Sequence, residues 1–250
     1  MNYYGNNTPA LNYNSEITYW QNVYSGDVKN IASDYITHVH DPMAILNNDY
    51  PEEFFESIYD KIMGSILNTS YEEIIDAIDK SNPVLEIKTI PIFYNFYDGS
   101  YGICQYLSTV KNSTYIETGA HFTNEGNRAT AKQKYGEIHL KMGASLGLVI
   151  LFKPYGQKTI GANSPLGTKC AQLPMGDFFV MIPKLILRIP IIAALIKKSR
   201  IGIINIQDVM RDLGMKETTI ERRTQSVKIL INNLKNVSCE PLQKRLSYIR

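Results

Sequence analysis

Residues 205–234, NIQDVMRDLGMKETTIERRTQSVKILINNL, decide how the rest of the chain is read. Ile206, Val209, Met210 and Leu213 recur at helical spacing, and so do Ile220, Thr224, Val227, Ile231 and Leu234 further on. Between the two runs, Gly214-Met215-Lys216 reads as a tight turn. The side of the second run opposite its apolar face carries Thr218, Glu221, Arg222, Gln225 and Lys228. A short helix, a brief turn containing glycine and a longer basic helix make the helix-turn-helix order.

A second, analogous layout precedes it. Tyr101 to Val110 predicts a short helix with Ile103, Tyr106, Leu107 and Val110 inside, and Tyr115 to Phe122 predicts another. Residues 123–127 break the pattern, with Asn127 placed to cap the next helix. That helix runs from Arg128 to Leu146, striped by Ala131, Tyr135, Ile138, Met142 and Leu146, with Arg128, Lys132, Lys134 and Lys141 pointing elsewhere. Gly147 ends it, Leu148 to Phe152 reads as a strand, and KPYGQKTIGAN (153–163) has the composition of a hairpin tip. Short helices, one longer basic helix and a basic hairpin make a winged-helix order. No second wing is legible in 236–250, which reads as a basic tail carrying Lys244, Arg245 and Arg250.

Between the two layouts lies FFVMIPKLILRIPIIAALI (178–196), apolar enough to need a membrane check. Lys184 and Arg188 sit mid-span, and each would cost about 2.5–3.5 kcal/mol at a bilayer centre. Phe178, Ile182, Leu185, Ile189, Ile192 and Ile196 recur at spacings of three and four, the stripe of a helix facing a protein core. The stretch is therefore expected to be a buried helix, bent or broken near Pro183 or Pro190, and no membrane partner is expected.

Upstream, residues 1–15 read as a flexible arm and 16–97 as an acidic, mainly helical region. Glu52 to Leu67 places Phe55, Ile58, Ile62 and Ile66 on one helical face. Ser70 and Glu73 form a capping box opening a helix that Asn82-Pro83 stops. VLEIKTIPIFYNFY (84–97) is rich in β-branched and aromatic residues and reads as extended, interrupted at Pro91. The first winged-helix unit is assigned to 98–172 and the second helix-turn-helix unit to 173–250. The expected fold is mainly α with small β elements: tandem winged-helix and helix-turn-helix units preceded by a helical N-terminal region.

Net charge sharpens this division. Residues 1–110 carry −11 and residues 111–250 carry +13, and all eight arginines lie in the second part. An acidic half of this kind is expected to dimerise or dock a partner subunit, and a basic half to face a polyanion. The three cysteines lie far apart with no CxxC pair, and the N-terminus lacks a secretory pattern, so a reducing cytoplasm is the expected compartment.

Duplex DNA is the polyanion these residue types suit. Lys132, Lys134, Lys141, Lys153 and Lys158 can neutralise phosphates, the main source of non-specific affinity. Arg128 and Gln133, and Arg222 and Gln225, match guanine and adenine edges in bidentate fashion. Thr218 and Thr219 are placed for phosphate contact at a helix start. Arg223 and Lys228 complete the candidate DNA-binding set.

Two stretches carry a family likeness. TAKQKYGEIHLKMGASLGLVI (130–150) with SPLGTKCAQ (164–172), and DVMRDLGMKETTIERRTQSVKILINNL (208–234), resemble the tandem winged-helix modules of type II restriction enzymes and related restriction-system proteins. The resemblance covers about residues 100–235. It implies sequence-specific duplex recognition, with Arg128, Lys132, Arg222, Arg223 and Gln225 near DNA, in the recognition component of a restriction-type or defence system. It does not supply a nuclease.

A nuclease would use carboxylates to hold Mg²⁺ and a lysine to steady the attacking water. Glu86-Ile87-Lys88 has that local form, and an Mg²⁺-dependent type II endonuclease built on Glu86 and Lys88 is the alternative reading. Asp76 and Asp79, the acids upstream, fall in a helix rather than at a strand end. His38, His40 and Asp41 suggest a metal, but two imidazoles do not make a site, and no metal is assigned. Binding itself needs no cofactor. A third reading is a protein–protein interaction module whose basic half meets an acidic partner.

Overall fold

A computed structural model describes residues 67–83, 85–87, 90–152 and 158–250. The arm, most of the 52–67 helix, the 38–41 histidines, Lys88 and Lys153 lie outside the described residues. The described part of the chain is mainly helical, with one small sheet.

The first helix, α1 (Tyr71–Lys80), starts where the capping box requires. The Glu73 backbone N–H donates to Ser70 Oγ at 3.2 Å, and the Ser70 N–H to Glu73 Oε2 at 2.7 Å. Two donors that no helical carbonyl can reach are thereby satisfied. Ile74, Ile75 and Ile78 form its buried face.

The segment read as extended over 84–97 contains no strand among its described residues. Side chains from a distant helix take the place of a neighbouring strand. Arg223 donates to the carbonyls of Ile87 and Ile90, and Ser226 Oγ accepts from the Phe93 N–H at 3.3 Å. Backbone groups satisfied in this way need no ladder, and β-propensity then has nothing to act on.

A π-helical turn (Asp98–Gly102) runs into α2 (Ile103–Val110). Next come β1 (Asn112–Thr114), α3 (Tyr115–Phe122), α4 (Ala129–Ser145), β2 (Val149–Phe152) and β3 (Ile160–Asn163). The strands pair antiparallel in the order β1-β3-β2, with Ser113 opposite Gly161 and Ile150 opposite Ala162. β1 has no apolar alternation, so periodicity does not reveal it. A polar knot holds it instead: buried Ser113 lies 3.1 Å from the Tyr106 hydroxyl and accepts from Thr118 at 2.9 Å. Thr114 then opens α3 through a second capping box with Glu117. Arg128, not Asn127, occupies the position before α4, with no side-chain cap.

Beyond the sheet, α5 (Pro165–Gln172) leads to α6 (Met175–Ile186) and α7 (Pro190–Lys198). The long apolar stretch is thus two helices. Pro183 lies inside the first and Pro190 starts the second, where its missing N–H costs nothing. All six stripe residues are buried, as is Arg188 at the break. No single described helix is long and apolar enough to cross a membrane, and α6 and α7 together are bent by 62°.

The chain ends in α8 (Ile206–Asp212), α9 (Glu217–Leu234) and α10 (Glu240–Ser247). Asn205 caps α8 by accepting from the Gln207 N–H at 2.8 Å. Gly214 makes the turn into α9 at φ +72°, a conformation that costs an L side chain about 1–2 kcal/mol. The segment read as a basic tail is a helix followed by a strand-like bridge. Ile249 pairs parallel with Ile204, with the Arg250 N–H donating to the Ile204 carbonyl at 2.9 Å. Leu242 and Leu246 are buried, so this end is part of the core.

Candidate nucleic-acid interface

Helix α9 presents two contrasting sides. Ile220, Thr224, Val227, Leu230, Ile231 and Leu234 are buried. Thr218, Glu221, Arg222, Gln225 and Lys228 are all exposed, and Asn232 continues the same side. Asn232 lies seven residues beyond Gln225, so the helical period alone would have found it. Thr219 is half-buried.

Arg222 and Arg223 are adjacent in sequence but separate in space. A helix turns about 100° per residue, which carries Arg223 toward the side of buried Ser226 and Leu230. There its guanidinium serves the Ile87 and Ile90 carbonyls, and burial, with Arg222 beside it, makes its proton easier to lose than usual. Arg223 therefore holds the fold, while Arg222 stays exposed.

The other arginines divide in the same way. Arg211 lies between Asp208 Oδ1 (2.6 Å) and Glu217 Oε1 (2.8 Å), fastening the turn between α8 and α9. Those two exposed pairs are worth little energetically, and they set Arg211 against two carboxylates of its own turn. Arg245 donates to Asp79 Oδ2 at 2.7 Å. Arg128, Arg200, Arg222 and Arg250 remain exposed. Sequence patterning does not single out Arg200, which follows α7 in a turn where no periodicity marks it, or exposed Lys198, the last residue of α7.

In the first unit, most of the exposed residues of α4 lie at or just before its start. Arg128, Thr130, Gln133 and Lys134 are exposed, whereas Gly136, Ile138, His139, Leu140, Met142 and Gly143 are buried. Lys132 is half-buried and donates to the Glu125 carbonyl at 3.0 Å. Lys141 pairs with Glu137 one turn earlier. Lys158, at the described end of the hairpin, is exposed.

Glu86 lies exposed on the irregular segment before the π-helical turn. Among the described residues no three His, Cys, Asp or Glu side chains stand close enough to share a metal ion. His121 and His139 belong to an aromatic stack. His121 lies 4.2 Å from Tyr106, and Phe122 lies parallel to His139 at 4.4 Å.

No protein-family model, curated protein or solved structure matches the chain.

Proposed function

We propose that this chain binds duplex DNA sequence-specifically, as a cytoplasmic recognition component of a restriction-type or defence system. The observation that carries the reading is the outward side of α9. It joins an exposed arginine, glutamine, threonine and lysine on a helix set by a glycine turn against a shorter helix. The element order from α2 to β3, with sheet order β1-β3-β2, supports a winged helix in which α4 is the reading helix and β2 and β3 flank the basic hairpin read from the sequence over 153–163. A second such unit is centred on α8 and α9. The acidic N-terminal half is proposed to dimerise or to dock a partner subunit.

Titrating labelled duplex with the full chain from about 50 to 200 mM salt tests this reading. Log affinity should fall linearly with log salt, and one duplex sequence should be preferred over random ones. Lys228→Ala and Lys158→Ala should each make the slope shallower by about 1. No salt-dependent binding to any duplex would point to the protein-interaction alternative. Incubating the same duplex with Mg²⁺ tests the nuclease alternative, which requires cleavage that both Glu86→Ala and Lys88→Ala abolish.

A further inference from the structure

We infer that α9 reads two adjacent base pairs, Arg222 taking the guanine of a G·C pair and Gln225 the adenine of an A·T pair. This rests on the DNA-binding reading above and adds which bases the site selects.

Commitment of side chains is the first reason. Arg211, Arg223 and Arg245 are each engaged by carboxylates or carbonyls, and Arg188 is buried. Of the exposed arginines other than Arg211, Arg128 precedes a helix, Arg200 lies in a turn and Arg250 is the last residue. Arg222 alone projects from the middle of a regular helix, where a fork of donors is held in a defined direction. Gln225 is likewise exposed, and its side chain makes no hydrogen bond among the described residues.

Spacing is the second. Three residues of helix advance about 4.5 Å and turn about 300°, so Arg222 and Gln225 share one side, one above the other. A base-pair step is about 3.4 Å. Neighbouring positions on the helix therefore meet neighbouring base pairs.

The third reason is the set of residues around them. A side meant only for phosphates would be uniformly cationic. Here Glu221 sits next to Arg222, with Thr218 and Asn232 completing the exposed side. A carboxylate is repelled by the backbone, yet it accepts a hydrogen bond from cytosine N4, the amino group that pairs with guanine. Glu221 lies about 100° round the helix from Arg222, so it adds an acceptor to this exposed side and is assigned no base of its own.

The test is selection of bound duplexes from a pool with a randomised centre, using the full chain and its Arg222→Ala, Arg222→Lys and Gln225→Ala variants. Thermal unfolding of each variant checks the fold, which exposed residues should leave unchanged. The wild type should select a site with adjacent G·C and A·T positions. Gln225→Ala should lose preference at the A·T position alone and Arg222→Ala at the G·C position alone. Each should bind the selected site about 10- to 100-fold more weakly. Arg222→Lys keeps the charge but not the fork, so it should lose the guanine preference while retaining affinity for random duplex.

Equal losses on every duplex, or preferences unchanged in the variants, would overturn the assignment and leave DNA binding standing. Salt-dependent binding with no selected sequence would overturn the assignment and the sequence-specific part of the proposed function, leaving non-specific duplex binding. Absence of binding to any duplex would overturn both readings.

Discussion

His139 shows how a single buried ring ties stability to pH. Its Nδ1–H donates to the Tyr135 carbonyl at 2.7 Å and its face lies on Phe122. Burial is the main cause that pulls its pKa below the ordinary 6.5, partly offset by the Tyr135 carbonyl. The unfolded chain therefore takes up a proton near pH 6.5 that the folded protein refuses. Stability from this group is intact above that pH and is lost as pH falls toward the lower folded value. Urea denaturation at pH 7.5 and 5 should show the loss, and His139→Gln should make it shallower. Equal pH dependence in both proteins would remove His139 from the account. The buried thiols of Cys104 and Cys170 are pushed upward by the same desolvation and stay protonated.

Helices α3 and α4 meet at glycines. A Cβ on Gly136 would lie 1.8 Å from the Tyr115 carbonyl oxygen, and one on Gly119 would lie 1.7 Å from that of Lys132. Backbone on both sides leaves no flexible side chain to yield. Gly136→Ala should therefore cost about 3 kcal/mol, the upper part of the usual range for overpacking, read as a lowered urea midpoint. A loss under about 0.5 kcal/mol would mean that the helices separate cheaply. The two glycines fix how closely the basic start of α4 is carried past α3. The apolar stripe of α4 is plain from its spacing, but the need for glycine at 136 is not, because the atom it avoids is twenty-one residues away.

Across the molecule, acidic and basic halves interlock rather than stand apart. Asp79 of α1 pairs with Arg245 of α10, both largely buried at 18% and 16% exposure, and Lys184 Nζ donates to the Leu67 carbonyl at 2.7 Å. Cys239 Sγ donates to Glu72 Oε1 at 3.3 Å, a second tie between these ends. Arg245→Met would strand the Asp79 carboxylate and should cost about 2–3 kcal/mol, less than a fully buried pair. Adding Asp79→Leu should recover part of that loss, measured as a double-mutant cycle. Strict additivity of the two changes would show that the pair contributes no coupling.

Local chemistry is enough to read much of this protein. The capping box at Ser70, the helix over 115–122, the α8–turn–α9 order and a bend or break of the long apolar stretch at one of its two prolines come from periodicity, caps and proline geometry. The exposed side of α9 comes with them, because the apolar face of a long helix defines its opposite. Tertiary structure decided everything that depends on a partner far along the chain. Among the described residues of 84–97 it put a segment held by Arg223 and Ser226 in place of the expected strand, and it drew the C-terminal end into the core and built β1 from a polar knot. It also sorted the arginines. A guanidinium has the same charge wherever it stands, and only folding determines whether carboxylates, carbonyls or solvent receive its hydrogen bonds.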